Sequence, residues 1–135
     1  MPKYVPVPIP CALKCTYSDI LEIQFKVNGV RATFIIPERP EAALEVTVAG
    51  AAIVRLVDEM PLSTEEDDSP NEGLVADHFA YRVEGAAFFR MQSESWKAIH
   101  APCAHYRFIT GWTCLDVVTK TEPQFAIVVR SDGAG

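Results

Sequence analysis

The stretch ILEIQFKVNGVRATFII, residues 20–36, gives the clearest indication of the fold. Up to Val27, apolar side chains alternate with polar ones, and this period of two is typical of a half-buried β-strand. Asn28 and Gly29 follow, and this pair suits a two-residue type I′ turn because both positions need a positive φ. We therefore predict a β-hairpin that turns at Asn28-Gly29.

The apolar residues also predict the register of this hairpin. Each apolar side chain of the first strand meets an apolar side chain of the second, in the pairs Val27–Val30, Phe25–Ala32, Ile23–Phe34 and Leu21–Ile36. Register is strongly specified when one face of a hairpin is apolar, because a slip of one residue would turn that face to solvent. The same register places Lys26 opposite Arg31, an unfavourable pair of like charges.

The rest of the chain predicts further strands and one helix. Alternating or β-branched segments indicate strands near 44–48, 53–57, 79–83, 105–110, 112–119 and 124–129, with a bulge or bend at Gly50. Residues 86–99 fit a helix with one apolar face, although Gln92 lies in the middle of that face. We expect an α+β fold, a strongly bent antiparallel sheet or partly open β-barrel of seven to eight strands covered by the helix at 86–99.

Composition indicates one globular domain over residues 1–135. Hydrophobic residues make up 49% and charged residues 22% of the chain, close to the average for folded proteins. The net charge is −6 and the basic residues are scattered, so we expect neither nucleic acid nor a membrane surface as a partner. Because no export signal and no apolar stretch of about 20 residues is visible, we expect a cytoplasmic protein with reduced cysteines.

One segment, residues 58–73, is strongly acidic. It holds seven acidic residues and no Lys or Arg, and we predict an exposed, mobile loop. Glu65, Glu66, Asp67 and Asp68 lack the alternating ligands and central glycine of a calcium-binding loop. A solvated loop is the first interpretation, and an acidic arm that docks onto a basic protein partner is the second.

The sequence contains no phosphate-binding loop, zinc-protease motif, nucleophile elbow or dinucleotide fingerprint. The candidates for acid, base or nucleophile are His78, His105, Cys114 and Asp116. Cys114 and Asp116 share one face of a strand, and a reactive thiolate there would need a nearby histidine. The alternative, which we favour, is that Cys114 packs inside and Asp116 pairs with an arginine such as Arg107 or Arg82.

The sequence also offers residues for two further kinds of site, a metal site and a site for a small ligand, and the residues of each are scattered along the chain. Cys11, Cys15, His100, Cys103 and His105 are zinc-ligand types, but their spacing does not fit a tetrahedral site, so we expect no metal and no cofactor. The aromatic residues exceed what a small core needs. We predict that the surplus lines a site for a small apolar or amphipathic ligand, formed by Tyr81, Phe88, Trp96, Tyr106, Trp112 and Asp116.

That ligand site requires the face of the 112–118 strand with Trp112, Cys114 and Asp116 to point inward, whereas the opposite phase would bury Leu115 and Val117. We expect a non-catalytic binding or interaction module that self-associates as a two-fold dimer. The alternatives are a small enzyme that uses His, Cys or Asp chemistry, and an acidic inhibitor or immunity-type protein that binds a basic partner.

Overall fold

The computed structural model describes residues 2–66 and 71–130. These residues form two antiparallel sheets and a few short helices. The strands are β1 (Lys3–Pro6), β2 (Ile20–Lys26), β3 (Gly29–Ile35), β4 (Ala42–Ala49), β5 (Ala52–Asp58), β6 (Ala80–Glu84), β7 (Ala104–Phe108), β8 (Thr113–Thr119) and β9 (Gln124–Val129). The helices are α1 (Glu59–Thr64), α2 (Ala87–Arg90) and α3 (Glu94–Ile99), and Cys15–Tyr17 forms a 3-10 turn.

After β4 and again after β8, the chain crosses from one sheet to the other. The five-stranded sheet has the order β1-β6-β7-β8-β5 and the four-stranded sheet has the order β2-β3-β4-β9. The chain changes sheet between β4 and β5, where Gly50 has a φ of +85° that favours glycine, so the predicted bend there is confirmed. The prediction of one strongly bent sheet or partly open barrel is wrong for the described residues, since the strands divide between two sheets that neither close nor curl strongly.

The main core lies between the two sheets. Phe34 of β3 contacts Phe79 and Phe108, with ring centroids 4.7 and 6.1 Å away. Leu115 and Val117 of β8 belong to the same core cluster. Cys114 and Asp116 alternate with them and are also fully buried, on the opposite face of the strand. Both faces of β8 are therefore buried, because a second layer covers the outer face of the five-stranded sheet.

The predicted β2–β3 hairpin is confirmed, but it turns at Val27-Asn28 instead of Asn28-Gly29, and the predicted register is wrong. Phe25 pairs with Val30 and Lys26 pairs with Gly29, two residues away from the predicted alignment. A shift of two residues keeps the same side chains on the core face, so the apolar pattern alone could not distinguish the two registers. In the observed register Arg31 lies opposite Gln24 and donates a hydrogen bond of 2.7 Å to its Oε1, which avoids the like-charge pair.

The single helix predicted at 86–99 is two helices. Helix α2 ends at Arg90, and Ser93 caps α3 by accepting a hydrogen bond of 3.2 Å from the backbone N–H of Trp96. Gln92 lies between the helices, and its Nε2 donates to the carbonyl oxygen of Phe88 at 2.7 Å. The polar residue in the predicted apolar face therefore marks the break between the two helices.

The acidic segment is only partly irregular. Residues 59–64 form α1, so the prediction of a loop is wrong there, and Asp58 caps the helix by accepting from the backbone N–H of Met60 at 2.9 Å. Asp67 and Asp68 lie outside the described residues, and the mobility of the segment stays a prediction. No helix in the described part of the chain is long and apolar enough to cross a bilayer.

Candidate functional site

A row of charged residues crosses the outer face of the five-stranded sheet. In the strand register, Asp116 of β8 lies between Arg55 of β5 and Arg107 of β7. His105 lies two residues before Arg107 and therefore on the same face. Together with Glu65, which follows α1, these residues form a cluster that we call the charge cluster. The sheet register itself brings the charged side chains together, from positions as far apart as 61 residues in sequence.

Asp116 is the centre of the charge cluster and is fully buried. Its Oδ1 accepts from His105 Nε2 at 2.6 Å and from Arg107 Nε at 2.7 Å. Its Oδ2 accepts from Arg55 Nη2 at 2.7 Å and from Arg55 Nε at 3.1 Å. A carboxylate offers about four acceptor positions, so this group is saturated.

Glu65 completes the cluster from the solvent side. Its carboxylate accepts two hydrogen bonds from Arg55, Nη1 to Oε2 at 2.6 Å and Nη2 to Oε1 at 3.0 Å. Arg107 Nη2 lies 3.7 Å from Glu65 Oε1, and Arg107 Nη1 donates to the hydroxyl of Tyr4 at 2.7 Å. The two guanidinium groups thus face two carboxylates. A buried ion pair is tolerated only when charge and hydrogen bonds are balanced in this way.

The pKa values in the cluster follow from its burial and its charges. Burial alone would raise the pKa of Asp116, but the hydrogen bond from His105 and the charge of Arg107 outweigh it and lower the pKa to about 2. Burial lowers the pKa of His105 below its usual range, against the attraction of Asp116. His105 is therefore neutral at pH 7 and uses its Nε2–H to donate to Asp116. Hydrogen bonds from Arg55 lower the pKa of Glu65.

Helix α2 covers the cluster with aromatic rings. The Arg55 guanidinium carbon lies 4.4 Å from the centroid of the Phe88 ring. His105 lies beneath Phe88 and Phe89, at centroid distances of 5.4 and 6.5 Å. Glu66 accepts a hydrogen bond from the backbone N–H of Ala87 and so ties the end of α1 to the start of α2. These contacts shield much of the cluster from solvent and strengthen its electrostatic interactions.

The structure brings two of the four predicted catalytic residues together. His105 and Asp116 are hydrogen-bonded, but they are only 1% and 0% exposed, and His105 borders a pocket of about 290 Å³ beside Phe89 and Cys103. The Cys114 thiol lies 3.8 Å from the carbonyl oxygen of Thr110, and burial raises its pKa to about 11. His78 lies apart and its Nε2 is 2.9 Å from the carbonyl oxygen of Val7. The described residues hold no cluster of three His, Cys, Asp or Glu side chains that could bind a metal.

The predicted ligand-binding residues do not line one common cavity. Asp116 belongs to the charge cluster and Phe88 covers it, whereas Tyr106 belongs to the core between the sheets. Trp96 packs on His100 with ring centroids 4.3 Å apart, and Trp112 is 65% exposed. Tyr81 lines an apolar hollow of about 330 Å³, together with Tyr4, Leu62, Leu74, Val75 and Ile109.

The four predicted partner-binding residues fall into two groups. Glu65 and Glu66 contact this chain's own Arg55, Arg107, Arg90 and Ala87, so their carboxylates face inward. Asp67 and Asp68 lie outside the described residues, and their role stays a prediction.

The sequence interpretation named Arg107 or Arg82 as the partner of Asp116, and Arg107 is that partner, whereas Arg82 pairs with Glu84. It missed Arg55, Tyr4 and the inward role of Glu65. One signal was available. Arg55 and Arg107 each lie within an apolar run, in IVRLV and HYRF. Such runs are typical of strands that are buried on both faces, where an arginine must find a counter-charge.

No family model, no curated protein and no solved structure matches this chain. Its class therefore rests on the fold and the site alone. It is a mostly-β protein of two antiparallel sheets with a buried, charge-balanced cluster on the outer face of the larger sheet.

Proposed function

We propose that this protein is a non-catalytic interaction module that self-associates as a two-fold dimer through strand β9. The observation that carries the proposal is the chemistry of β9, an edge strand of the four-stranded sheet. Its sequence, QFAIVV, contains no charged residue and no proline. Among the described strands it pairs only with β4, and an apolar edge of this kind is a template for pairing with another chain.

The other three edge strands carry features that discourage pairing. Strand β1 is short and contains Lys3 and Pro6, strand β2 has a bulge between Ile20 and Glu22, and strand β5 contains Arg55 and Asp58. Charges, prolines and bulges are the usual means of blocking an edge. Strand β9 lacks all three along Gln124–Val129, so it is the edge best suited to a second copy.

Side chains on β9 are also open to a partner. Ile127 is 41% exposed and Val129 is 86% exposed. Two copies of β9 that paired antiparallel would lie across a two-fold axis, so that the same residues contact each other from both sides. The pairing would join the two four-stranded sheets into one continuous sheet and bury these apolar side chains.

The packing of the candidate catalytic residues supports a non-catalytic role. An acid or base must reach a substrate, yet His105 and Asp116 are closed off by α2 and by each other. The raised pKa of Cys114 favours the neutral thiol, which is a poor nucleophile.

Binding of a small apolar or amphipathic molecule is a second candidate function, favoured by the hollow beside Tyr81. Its volume of about 330 Å³ and its apolar lining are within the range of small-molecule sites. A few polar side chains, including His78 and Asn71, lie at its wall and could orient a polar end.

Native mass spectrometry of the purified protein tests both parts. We expect a dimer for the wild-type chain. Introducing lysines in the double variant Ile127→Lys, Val129→Lys should raise the dissociation constant by on the order of 100-fold, because four like charges would meet at the interface. The matched control is Phe25→Lys, Val27→Lys, which changes two exposed apolar residues at the other edge of the same sheet and should remain dimeric.

A monomeric wild-type chain at micromolar concentration, or equal dissociation constants for the two variants, would contradict the β9 dimer. Circular dichroism of each variant establishes that it is folded. A co-purified organic mass that is lost on Tyr81→Ala, with the dimer retained, would support the ligand site.

A further inference from the structure

Glu65 occupies a recess that is built from other parts of the fold. The recess is formed by the guanidinium groups of Arg55 and Arg107 and by the ring of Phe88. The Glu65 carboxylate makes a bidentate pair with Arg55, the geometry in which guanidinium recognises carboxylate most strongly. The recess therefore has the features of a carboxylate-binding site, and the carboxylate that fills it belongs to the same chain.

The walls of this recess are held in place without Glu65. Arg107 is fixed by Asp116 and by the hydroxyl of Tyr4, at 2.7 Å each. Arg55 is fixed by two hydrogen bonds to Asp116 and by the face of Phe88. Donors that are already oriented bind an anion with little loss of conformational entropy.

One donor in the recess remains unused. Arg107 Nη2 is buried and has no hydrogen-bond acceptor among residues 2–66 and 71–130. It points toward Glu65 Oε1 but is 3.7 Å away, beyond hydrogen-bond distance. The internal glutamate therefore leaves a buried donor that a differently placed carboxylate could reach.

The internal occupant lies on the solvent side of the recess. None of the residues of α1 is buried, and the side chains of Glu65 and Arg55 are 23% and 24% exposed. Without Glu65 the cluster would keep two guanidinium groups and one carboxylate, a net charge of +1 with His105 neutral. A single carboxylate would neutralise it, and the space that one glutamate carboxylate occupies suits the carboxylate of a short molecule.

We propose that the Arg55–Arg107 recess is a binding site for a small free carboxylate, which binds by displacing Glu65 and releasing the end of α1. This site lies on the outer face of the five-stranded sheet and is independent of the β9 edge.

Acetate is the probe for the vacated site. In Glu65→Ala the recess is empty, and we expect sodium acetate to raise the melting temperature by several degrees relative to sodium chloride at the same ionic strength and pH. In the matched control Glu65→Gln the amide fills the recess, so acetate and chloride should have equal effects. Equal melting temperatures in acetate and chloride for Glu65→Ala would overturn the proposal.

The wild-type chain tests the displacement of Glu65 and does not depend on any variant folding. In ¹H–¹⁵N spectra titrated with acetate, we expect saturable shifts of the backbone amides of residues 59–66 that chloride does not produce. Saturable shifts at these residues would support displacement. Their absence at acetate concentrations that saturate Glu65→Ala would show that Glu65 is a fixed part of the cluster, and would overturn the proposal.

Discussion

At the scale of single residues, Asp116 is the counter-charge that allows arginine side chains to lie buried on the outer face of the five-stranded sheet. Two arginines and one histidine donate to it, and its carboxylate is fully buried. A buried ion pair adds little net stability compared with apolar packing, but removing one partner leaves the other charge uncompensated. The cluster should therefore tolerate loss of its central charge much less well than loss of a surface charge.

The substitution Asp116→Asn tests this asymmetry. It keeps the size of the side chain but leaves Arg107 and Arg55 without their shared counter-charge. We expect a loss of about 3–5 kcal/mol in the free energy of unfolding, measured by urea denaturation. The control Asp58→Asn changes an exposed helix cap into another good cap and should alter stability by less than about 0.5 kcal/mol. Similar losses for both variants would contradict a central role for Asp116.

At the scale of secondary-structure elements, Gly29 lies just after the hairpin turn and allows β4 to approach β3 closely. It belongs to β3 and pairs with Ala49 of β4. Its φ is +152°, and a Cβ atom there would lie 2.5 Å from the carbonyl oxygen of Val48. Gly29 therefore serves the close approach of β4. Among the described residues only Glu38 and Asp77 combine a side chain with a positive φ, so Asn28 lacks the conformation that a type I′ turn requires.

Comparing Gly29→Ala with Gly50→Ala separates this contact from backbone strain. Both glycines have a positive φ, but a Cβ at Gly50 would meet no atom within 4 Å. We expect Gly50→Ala to cost about 1–2 kcal/mol through its backbone conformation alone. Gly29→Ala should cost clearly more, because β3 and β4 must also move apart. Thermal unfolding of the two variants measures the difference, and an equal loss would show that the contact with Val48 is unimportant.

At the scale of the whole molecule, the charge cluster attaches the helical layer to the sheet. Two connecting segments take part in these contacts. The segment between β5 and β6 does so through Glu65, and the segment between β6 and β7 does so through Phe88. The global stability should therefore follow the protonation of the cluster. The folded state lowers the pKa of His105 and Asp116, so the unfolded chain binds more protons in acid and stability falls as pH falls.

We expect two pH ranges of destabilisation. The first begins below about pH 6.5, where His105 is protonated in the unfolded chain but resists protonation in the folded one. The second lies between about pH 4 and 2, as Asp116 is protonated, and Glu65 adds to it. Urea denaturation at a series of pH values measures both ranges. His105→Gln should flatten the first range, because the titrating imidazole is gone, and an unchanged slope between pH 7 and 5 in this variant would contradict the assignment.

The sequence by itself predicted a β-rich chain, the hairpin at residues 20–36 and a bulge or bend at Gly50, whereas Gln92 stood out only as a polar residue within a single predicted helix. These features depend on local periodicity, on glycine conformation and on side chains that reach neighbouring turns, all of which are written in adjacent residues. The sequence also indicated that Asp116 would pair with an arginine, Arg107 or Arg82, because a carboxylate on a buried strand face must be neutralised.

Only the tertiary structure decided the hairpin register, the division of strands between two sheets and the membership of the charge cluster. The two registers place the same side chains on the core face, so the apolar pattern does not distinguish them; in the observed register Gly29 belongs to β3 and pairs with Ala49 of β4. Arg55 meets Asp116 because β5 pairs with β8, a contact between segments about 60 residues apart, and Glu65 joins the cluster through Arg55. Local sequence cannot specify such a contact, because it is selected by the packing of the whole sheet.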